Sequence, residues 1–441
     1  MSIEVSPNAL ANSLIDKDAY LTGLLNQVTA TKSQGWLQGV RSDAANSVRQ
    51  STLPTKNDEE WRFADLSALR QVQFHVETFV PNITPFLLPE AVHTGFVFVN
   101  GVYAPDLSTV SDLPDGVVVS NLANLPASYH QRVQKYLAQA SGNGEVFTSL
   151  NTAGMTDAAV VWVGKNVVVE TPIELVFLTA GEMAISLPRC LVVAECGSVF
   201  TLVEEYTNRR GAGSAEEERV YFNNAVTEIW LEENAQVNHT RVECDGAEAF
   251  HVGKTAVMQA RSSRYTCNAV SLGGRFSRHN LEIFQTGEQT ETTLNGLTMI
   301  KEKQLADTHS AIALNYPHST SRQLHKCIVG DRAHAVFNGK VFVPKAAQLT
   351  DAGQLNRNLL LSSKARIDTK PQLEITADNV KCAHGATVSQ LEDDEIFYLQ
   401  SRGIDANDAR KLLINAFAAE IINKIPIPSL RETLTQTVSK F

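Results

Sequence analysis

The sequence predicts a mainly β fold, a solenoid core carried between two helical ends. Three observations lead there. First, from about residue 158 to 380, runs rich in Val, Ile, Thr and Phe alternate with Gly, Asn, Asp and Ser, as in Val160-Val161-Trp162-Val163, Val167-Val168-Val169, Leu191-Val192-Val193, Phe200-Thr201-Leu202-Val203 and Lys340-Val341-Phe342-Val343. Short apolar runs bounded by turn formers read as strands, and no helical pattern separates them, which excludes alternating strand and helix units. Second, a small or polar turn followed by an extended segment recurs at Cys196-Gly197-Ser198-Val199, Asn234-Ala235-Gln236-Val237, Ser262-Ser263-Arg264-Tyr265, Gly287-Glu288-Gln289-Thr290 and Lys364-Ala365-Arg366-Ile367. The spacing is uneven, as expected of a coil that takes insertions on one face. A β-sandwich is the alternative. Third, both ends carry helical rather than strand periodicity.

At the N-terminal end, Leu10, Leu14, Leu21, Leu24 and Leu25 recur near helical spacing, and Trp36, Val40 and Val48 follow in a second segment. Residues 51–66 form a compact polar block with one Pro and two aromatics, Trp61 and Phe63. It reads as an ordered connector that pins its Trp into a core, with a docking element as the alternative. The Gly211-Ala212-Gly213 stretch, running into Glu216-Glu217-Glu218, reads as a loop. At the C-terminal end, Glu392 to Arg402 reads as a helix stopped by Gly403 at its C′ position. Asp405 is then an N-cap with Asp408 three residues on. Ala409, Leu412, Leu413, Ala416, Phe417 and Ile421 give the next helix an apolar face, ended by Pro426 and Pro428. The expected division is an N-terminal helical domain over 1–90, a β core with its lead-in segment over 91–390, and a C-terminal helical domain over 391–441.

The bulk numbers exclude several classes. The 441 residues carry a net charge of −10, and 43% of them are apolar. That is enough apolar content for a sizeable core. It lacks the basic stripe that a nucleic-acid or anionic membrane surface requires. The N-terminal residues Met-Ser-Ile-Glu-Val-Ser-Pro-Asn have no basic n-region or apolar h-region, so no signal peptide is expected. No uninterrupted apolar window approaches a membrane span. Six cysteines, Cys190, Cys196, Cys244, Cys267, Cys327 and Cys382, contain no Cys-x-x-Cys. They read as reduced, mostly buried thiols in a cytoplasmic protein.

Familiar catalytic signatures are missing: Gly-x-Ser-x-Gly, the Walker A lysine loop and Gly-x-Gly-x-x-Gly do not occur, and no enzymatic role is expected. Histidines crowd the second half, at His279, His309, His318, His325, His334 and His384. Two places set His and Cys two residues apart, His325-Lys326-Cys327 and Cys382-Ala383-His384. On a strand, residues i and i+2 share a face, so each pair can present a thiolate beside an imidazole, ligands that suit zinc, copper(I) or iron–sulfur species. The first pair reads as solenoid-wall packing. The second sits where strands yield to the helical tail, beside the small Gly385 and Ala386. Lys381 would help depress its thiol pKa if it lies close. Two ligands at a domain edge suggest a site completed by another chain, since a closed zinc site needs four.

Several segments carry a resemblance. They are Pro54-Thr55-Lys56 with Glu59-Glu60-Trp61-Arg62; Ala333-His334-Ala335-Val336-Phe337-Asn338-Gly339-Lys340; Asp351-Ala352-Gly353-Gln354-Leu355-Asn356-Arg357-Asn358-Leu359-Leu360-Leu361; Pro371-Gln372-Leu373-Glu374-Ile375; Lys381-Cys382-Ala383-His384-Gly385-Ala386-Thr387; and Phe397-Tyr398-Leu399-Gln400-Ser401-Arg402-Gly403-Ile404. Together they resemble the SufB/SufD family, scaffold subunits of the SUF iron–sulfur cluster assembly machinery. His384-Gly385-Ala386-Thr387, where SufB-type chains carry His-Glu-Ala-Thr, resembles the SufD branch. Ala383 stands where Ser is common, a change that leaves ligation unaltered. The resemblance implies a right-handed parallel β-helix between helical domains. It also implies a complex of one SufB, one SufD and two SufC ATPase subunits, with paired β-helices and ATPase docking on the helices from Glu392 to Lys424. His384, and second to it Cys382, would be metal ligands of a nascent, transient iron–sulfur site completed by a SufB cysteine. The resemblance allows a flavin on the complex and a homodimer when the chain is alone. Two other readings compete: a carbohydrate-active β-helix enzyme, and a purely structural module without a metal role.

Overall fold

The computed structural model describes residues 17–30, 35–77, 85, 87–142, 144–208 and 219–441. The expectations placed on Leu10, Leu14, Gly211-Ala212-Gly213 and Glu216-Glu217-Glu218 lie outside those residues. The strand-forming runs wind into a parallel β-solenoid of about 8 turns. Each turn gives one strand to each of two long sheets. One sheet ends in the strands Glu291–Ile300, Thr320–Val329, Asp351–Leu360 and Lys381–Gln390; the other ends in Phe276–Gln285, Leu305–Ala313, His334–Val343 and Arg366–Ile375. Neighbouring strands pair parallel and in register, for example Gln354 with Gln323 below and His384 above. The solenoid begins with short antiparallel additions, Val102–Tyr103, Thr109–Val110 and Val117–Asn121.

The alternation within each strand decides what fills the lumen. One inward file reads Val161, Val192, Ile229, Val257, Ile283, Ile312, Val341 and Leu373, stacked coil upon coil. These residues, save half-buried Leu373, belong to one continuous apolar core. The facing sheet is mixed: Ile173, Leu202, His239, Cys267, Leu294, Gln323, Gln354 and His384 share a single file. Polar side chains in the lumen must pair with each other, because water does not reach them. His239 lies 3.2 Å from Glu204 and 2.9 Å from the Tyr265 hydroxyl. Burial opposes the charge on His239, but the Glu204 carboxylate overrides it and lifts its pKa to about 9.

The recurrent turn is one corner of the coil. Asn166, Gly197, Asn234, Ser262, Gln289, His318 and Leu349 all have positive φ there. Side-chain-bearing residues disfavour that region. Here each N–H is held by the coil above it: Asn234 N donates to Arg261 O at 3.1 Å, Ser262 N to Glu288 O at 2.9 Å, and His318 N to Gln348 O at 3.0 Å. Lys364-Ala365-Arg366-Ile367 is not part of this series. It occupies a different corner, between Leu360 and Arg366, where Glu302 and Asp331 take the positive φ. The irregular period of the echo arises partly from mixing these two corners.

Helices cover the flanks. The helices Ala19–Val28 and Trp36–Arg49 form where Leu21, Leu24, Leu25 and Trp36, Val40, Val48 predict them. They join Trp61, Phe147, Phe222, Phe250 and Phe276 in a second core outside the solenoid wall. Trp61 sits 5.5 Å from the Phe147 ring and under the Arg278 guanidinium at 3.9 Å. The polar block is therefore a connector that pins its Trp, and it goes further. Glu60 reaches His309 and Asn338, and Glu59 reaches Lys370 on the last coil.

At the C-terminal end the helix Asp393–Ser401 stops at Gly403 (φ +88°), and Asp405 caps Ala406–Ile422 through the Asn407 and Asp408 amides. The buried stripe of this second helix differs from expectation. Ala409 and Ile421 are inside as predicted, but their companions are Ile414, Ala418 and Ile422, while Leu412 and Ala416 are exposed. The helix is apolar on more than one side, so periodicity alone cannot choose the stripe that meets the sheet. Lys326 makes the choice: its ammonium reaches the Phe417 carbonyl at 2.8 Å and Glu420 at 2.5 Å. This helix ends at Ile422, ahead of Pro426 and Pro428 as expected, but the tail continues beyond it. Pro428 opens a further helix, Pro428–Ser439, at a position where a missing N–H costs nothing.

Truncating the pinned aromatic tests the flank. Trp61→Ala should cost about 3 to 5 kcal/mol in urea unfolding at fixed pH. A loss under about 1 kcal/mol would show that the connector does not fasten the N-terminal core.

Candidate metal site at the open end of the solenoid

Cys382 and His384 lie on Lys381–Gln390, the last strand of its sheet. Strand alternation explains which way they face. Their partners one coil below are Ala352 and Gln354, both buried lumen residues. The pair therefore points along the lumen face, and the two side chains stand beside each other at its mouth. Among the described residues no strand covers the pair from above. Cys382 is half-buried and touches the lumen core, whereas His384 is exposed. Across the mouth stand Ile367, Thr369, Pro371, Leu373 and Ile375, which continue the opposite inward file and are all only partly buried or exposed. The floor is polar. Thr369 donates to Asn356 Oδ1 at 2.8 Å, Asn358 donates to the same oxygen at 2.6 Å, and Asn356 donates to the His325 carbonyl at 3.1 Å.

The thiol is not activated by Lys381. Burial, with the nearby Asp351 carboxylate, raises the Cys382 pKa, and the Ala352 backbone N–H offsets part of the rise. Lys381 points to the outer face, because adjacent residues of a strand alternate. A metal bound here would have to displace the thiol proton, since Cys382 is not a ready-made thiolate.

His325 and Cys327 are wall residues, as their pattern suggested. Both are buried, with His325 stacked on Phe337 at 4.9 Å and bonded to Thr298 at 3.0 Å. Burial drives the His325 pKa down to about 4 and the Cys327 pKa up to about 12. The other histidines are spoken for or separate. His309 bridges Asp307 and Glu60, His334 pairs with Asp368 at 2.7 Å, and His279 lies 3.1 Å from the Thr255 hydroxyl inside the lumen. Among the described residues no three His, Cys, Asp or Glu side chains converge to hold a metal. At the mouth this chain offers two soft donors, and the donor set fits a thiophilic metal only with ligands from elsewhere. Gln323 and Gln354, beneath His384, were not singled out from the sequence. Their signal is period-two alternation, legible only once the register is known.

The fold is that of a parallel β-solenoid protein with helical ends, and comparison with known proteins makes the class specific. Residues 177–417 match the SufBD core domain of SUF system FeS cluster assembly, and residues 21–175 match the SufBD protein N-terminal region. The chain belongs to the SufBD family. It is 47% identical to an iron–sulfur cluster assembly SufBD family protein of Synechocystis sp., covering 98% of each chain. It is 36% identical to the chloroplastic protein ABCI7 of Arabidopsis thaliana, over 90% of this chain and 84% of that one. It is 31% identical to the iron–sulfur cluster assembly protein SufD of Escherichia coli K12, over 88% and 89% respectively. Iron–sulfur cluster assembly is thus the process in which the family works.

Alkylation tests the geometry. In the folded protein Cys382 and Cys196, the two cysteines that are not buried, should react with iodoacetamide, Cys382 more slowly than a free thiol at pH 8. Cys190, Cys244, Cys267 and Cys327 should stay unlabelled in mass spectra. Early labelling of Cys327 would contradict the wall assignment.

Proposed function

We propose that this chain is a non-catalytic scaffold subunit on which iron–sulfur clusters are assembled, with His384 first and Cys382 second as ligands to the nascent cargo. The observation that carries this reading is the placement of the pair. In a SufBD-family chain, two soft ligands face the uncovered lumen mouth on a strand whose outer edge is unpaired. The cargo, iron and sulfide, is substrate and not a resident cofactor. Two donors leave roughly half of a tetrahedral site to be filled. A paralogous solenoid of SufB type supplies the rest, a cysteine among them.

The free edges support the same pairing. Arg366–Ile375 and Lys381–Gln390 each end a sheet, so each presents unpaired backbone groups to another chain. A second solenoid laid against them brings its own ligands to the mouth; without the paralogue, a second copy takes its place. The helical tail gives a separate contact. Phe397, Tyr398 and Leu412 are 70%, 58% and 51% exposed, although the same helices bury Ile396 and Ala409, and Ile414 packs on the sheet. Exposed aromatics beside an anchored helix suit an interface, here with a SufC-type ATPase. ATP binding would draw two such tails together and shift the paired solenoids at the mouth. The chain contributes ligands and geometry to this cycle. The proposal places it in the cytoplasm and includes no flavin.

Two experiments test the reading. His384→Ala should leave complex assembly intact while lowering iron and sulfide bound to the co-expressed complex about tenfold or more; a wild-type cluster yield would remove His384 as a ligand. Independently, Phe397→Asp with Leu412→Asp should weaken capture of the ATPase at least about tenfold without lowering the unfolding midpoint. Unchanged capture would place the ATPase elsewhere.

A further inference from the structure

We infer that Gln354 is a positioning residue for His384: its carboxamide oxygen, unpartnered in this structure, accepts the N–H of one ring nitrogen once the exposed His384 ring turns over the mouth, and so leaves the other nitrogen, with its lone pair, facing out. The inference rests on the reading of His384 as a ligand. It starts from the file of inward residues. Gln323, Gln354 and His384 are successive register partners on three adjacent coils, about 4.8 Å apart in the stacking direction.

The two amides beneath His384 form a ladder of one polarity. Gln323 Nε2 donates to the Ser310 hydroxyl at 2.7 Å, and Gln354 Nε2 donates to Gln323 Oε1 at 2.8 Å. Each rung donates downward and accepts from above. The top oxygen, Gln354 Oε1, is buried and has no hydrogen-bond partner, although Gln354 is only 4% exposed. With the nitrogen committed to the coil below, the carboxamide oxygen is left as an acceptor for a donor from the coil above. The residue of that file on that coil is His384.

The amide is held in this attitude from the side as well. A Cβ on Gly339 would stand 2.3 Å from Gln354 Nε2 and 2.8 Å from Phe337 Cζ. Glycine at 339 leaves the space that the ladder occupies. A neutral imidazole has one N–H and one lone pair, and an acceptor can bind only the N–H. Gln354 Oε1 therefore selects a single tautomer of His384. Metal-bound histidines are commonly oriented by such a contact on the far nitrogen.

The test reads the tautomer directly and needs no metal. In the full chain labelled with 15N-histidine, two-bond nitrogen–proton spectra at mildly alkaline pH show which ring nitrogen carries the proton. The His384 signal is assigned by its loss in His384→Ala. Wild type should show one tautomer, Gln354→Leu a mixture of both, and Gln354→Glu, which keeps an acceptor oxygen, one tautomer again. An unchanged tautomer in a folded Gln354→Leu chain overturns the inference. Should that variant not fold, the wild-type spectrum still decides, because mixed tautomers there overturn it too. Failure of the ligand reading looks different: His384→Ala would then retain its clusters while the tautomer still depended on Gln354.

Discussion

Parallel, in-register stacking of one coil on the next is the constraint on which this molecule depends. Backbone groups of every inner strand are satisfied by the strands above and below it, and an unpaired buried backbone group is costly. The same rule makes the last coil unlike the rest. Among the described residues, Arg366–Ile375 and Lys381–Gln390 have a strand partner on one side only, so the solenoid ends in two open edges. A polar or ligating residue placed there is reachable; one coil lower it is wall. The contrast between His384 and His325 is a consequence of height in the stack, since both follow the same inward alternation.

The stacking also turns side chains into files, and a file behaves as one unit. The apolar file from Val161 to Leu373 supplies non-directional cohesion. The mixed file opposite must be satisfied rung by rung, which gives it direction. Ser310, Gln323 and Gln354 pass hydrogen bonds one way and leave an acceptor at the top. The glycine at 339 belongs to this arrangement as surely as the amides do, because any side chain there would displace Gln354. The lumen thus reaches the mouth as a built support beneath His384.

The helical ends fasten the stack without closing it. The N-terminal segment is tied across successive coils, Trp61 under Arg278, Glu60 at His309 and Asn338, and Glu59 at Lys370. On the other sheet, the C-terminal helices bury Ile414, Ala418, Ile421 and Leu434 against Val242, Val270, Leu297 and Ile328. Both attachments lie on the flanks, so the mouth and the Phe397–Tyr398–Leu412 surface remain uncovered in the same molecule. The separation leaves room for the two contacts proposed above to form at once.

The sequence by itself determined the alternation of strands, the side-by-side placement of Cys382 and His384, the helix stop at Gly403 and the cap at Asp405, because these are local and depend on residues a few positions apart. It also placed His325 and Cys327 in the wall. It could not choose the buried stripe of Ala406–Ile422, since that helix is apolar on more than one side and Lys326, distant in sequence, fixes its rotation. It suggested a role for Lys381 that strand alternation reverses. It gave no sign of Gln354 beneath His384, since their pairing joins residues a full coil apart. Only the tertiary structure decided that register, and with it the direction of the amide ladder. The physical reason is that a one-residue slip would carry every side chain of the strand to the opposite face, and no local preference of the chain measures that slip.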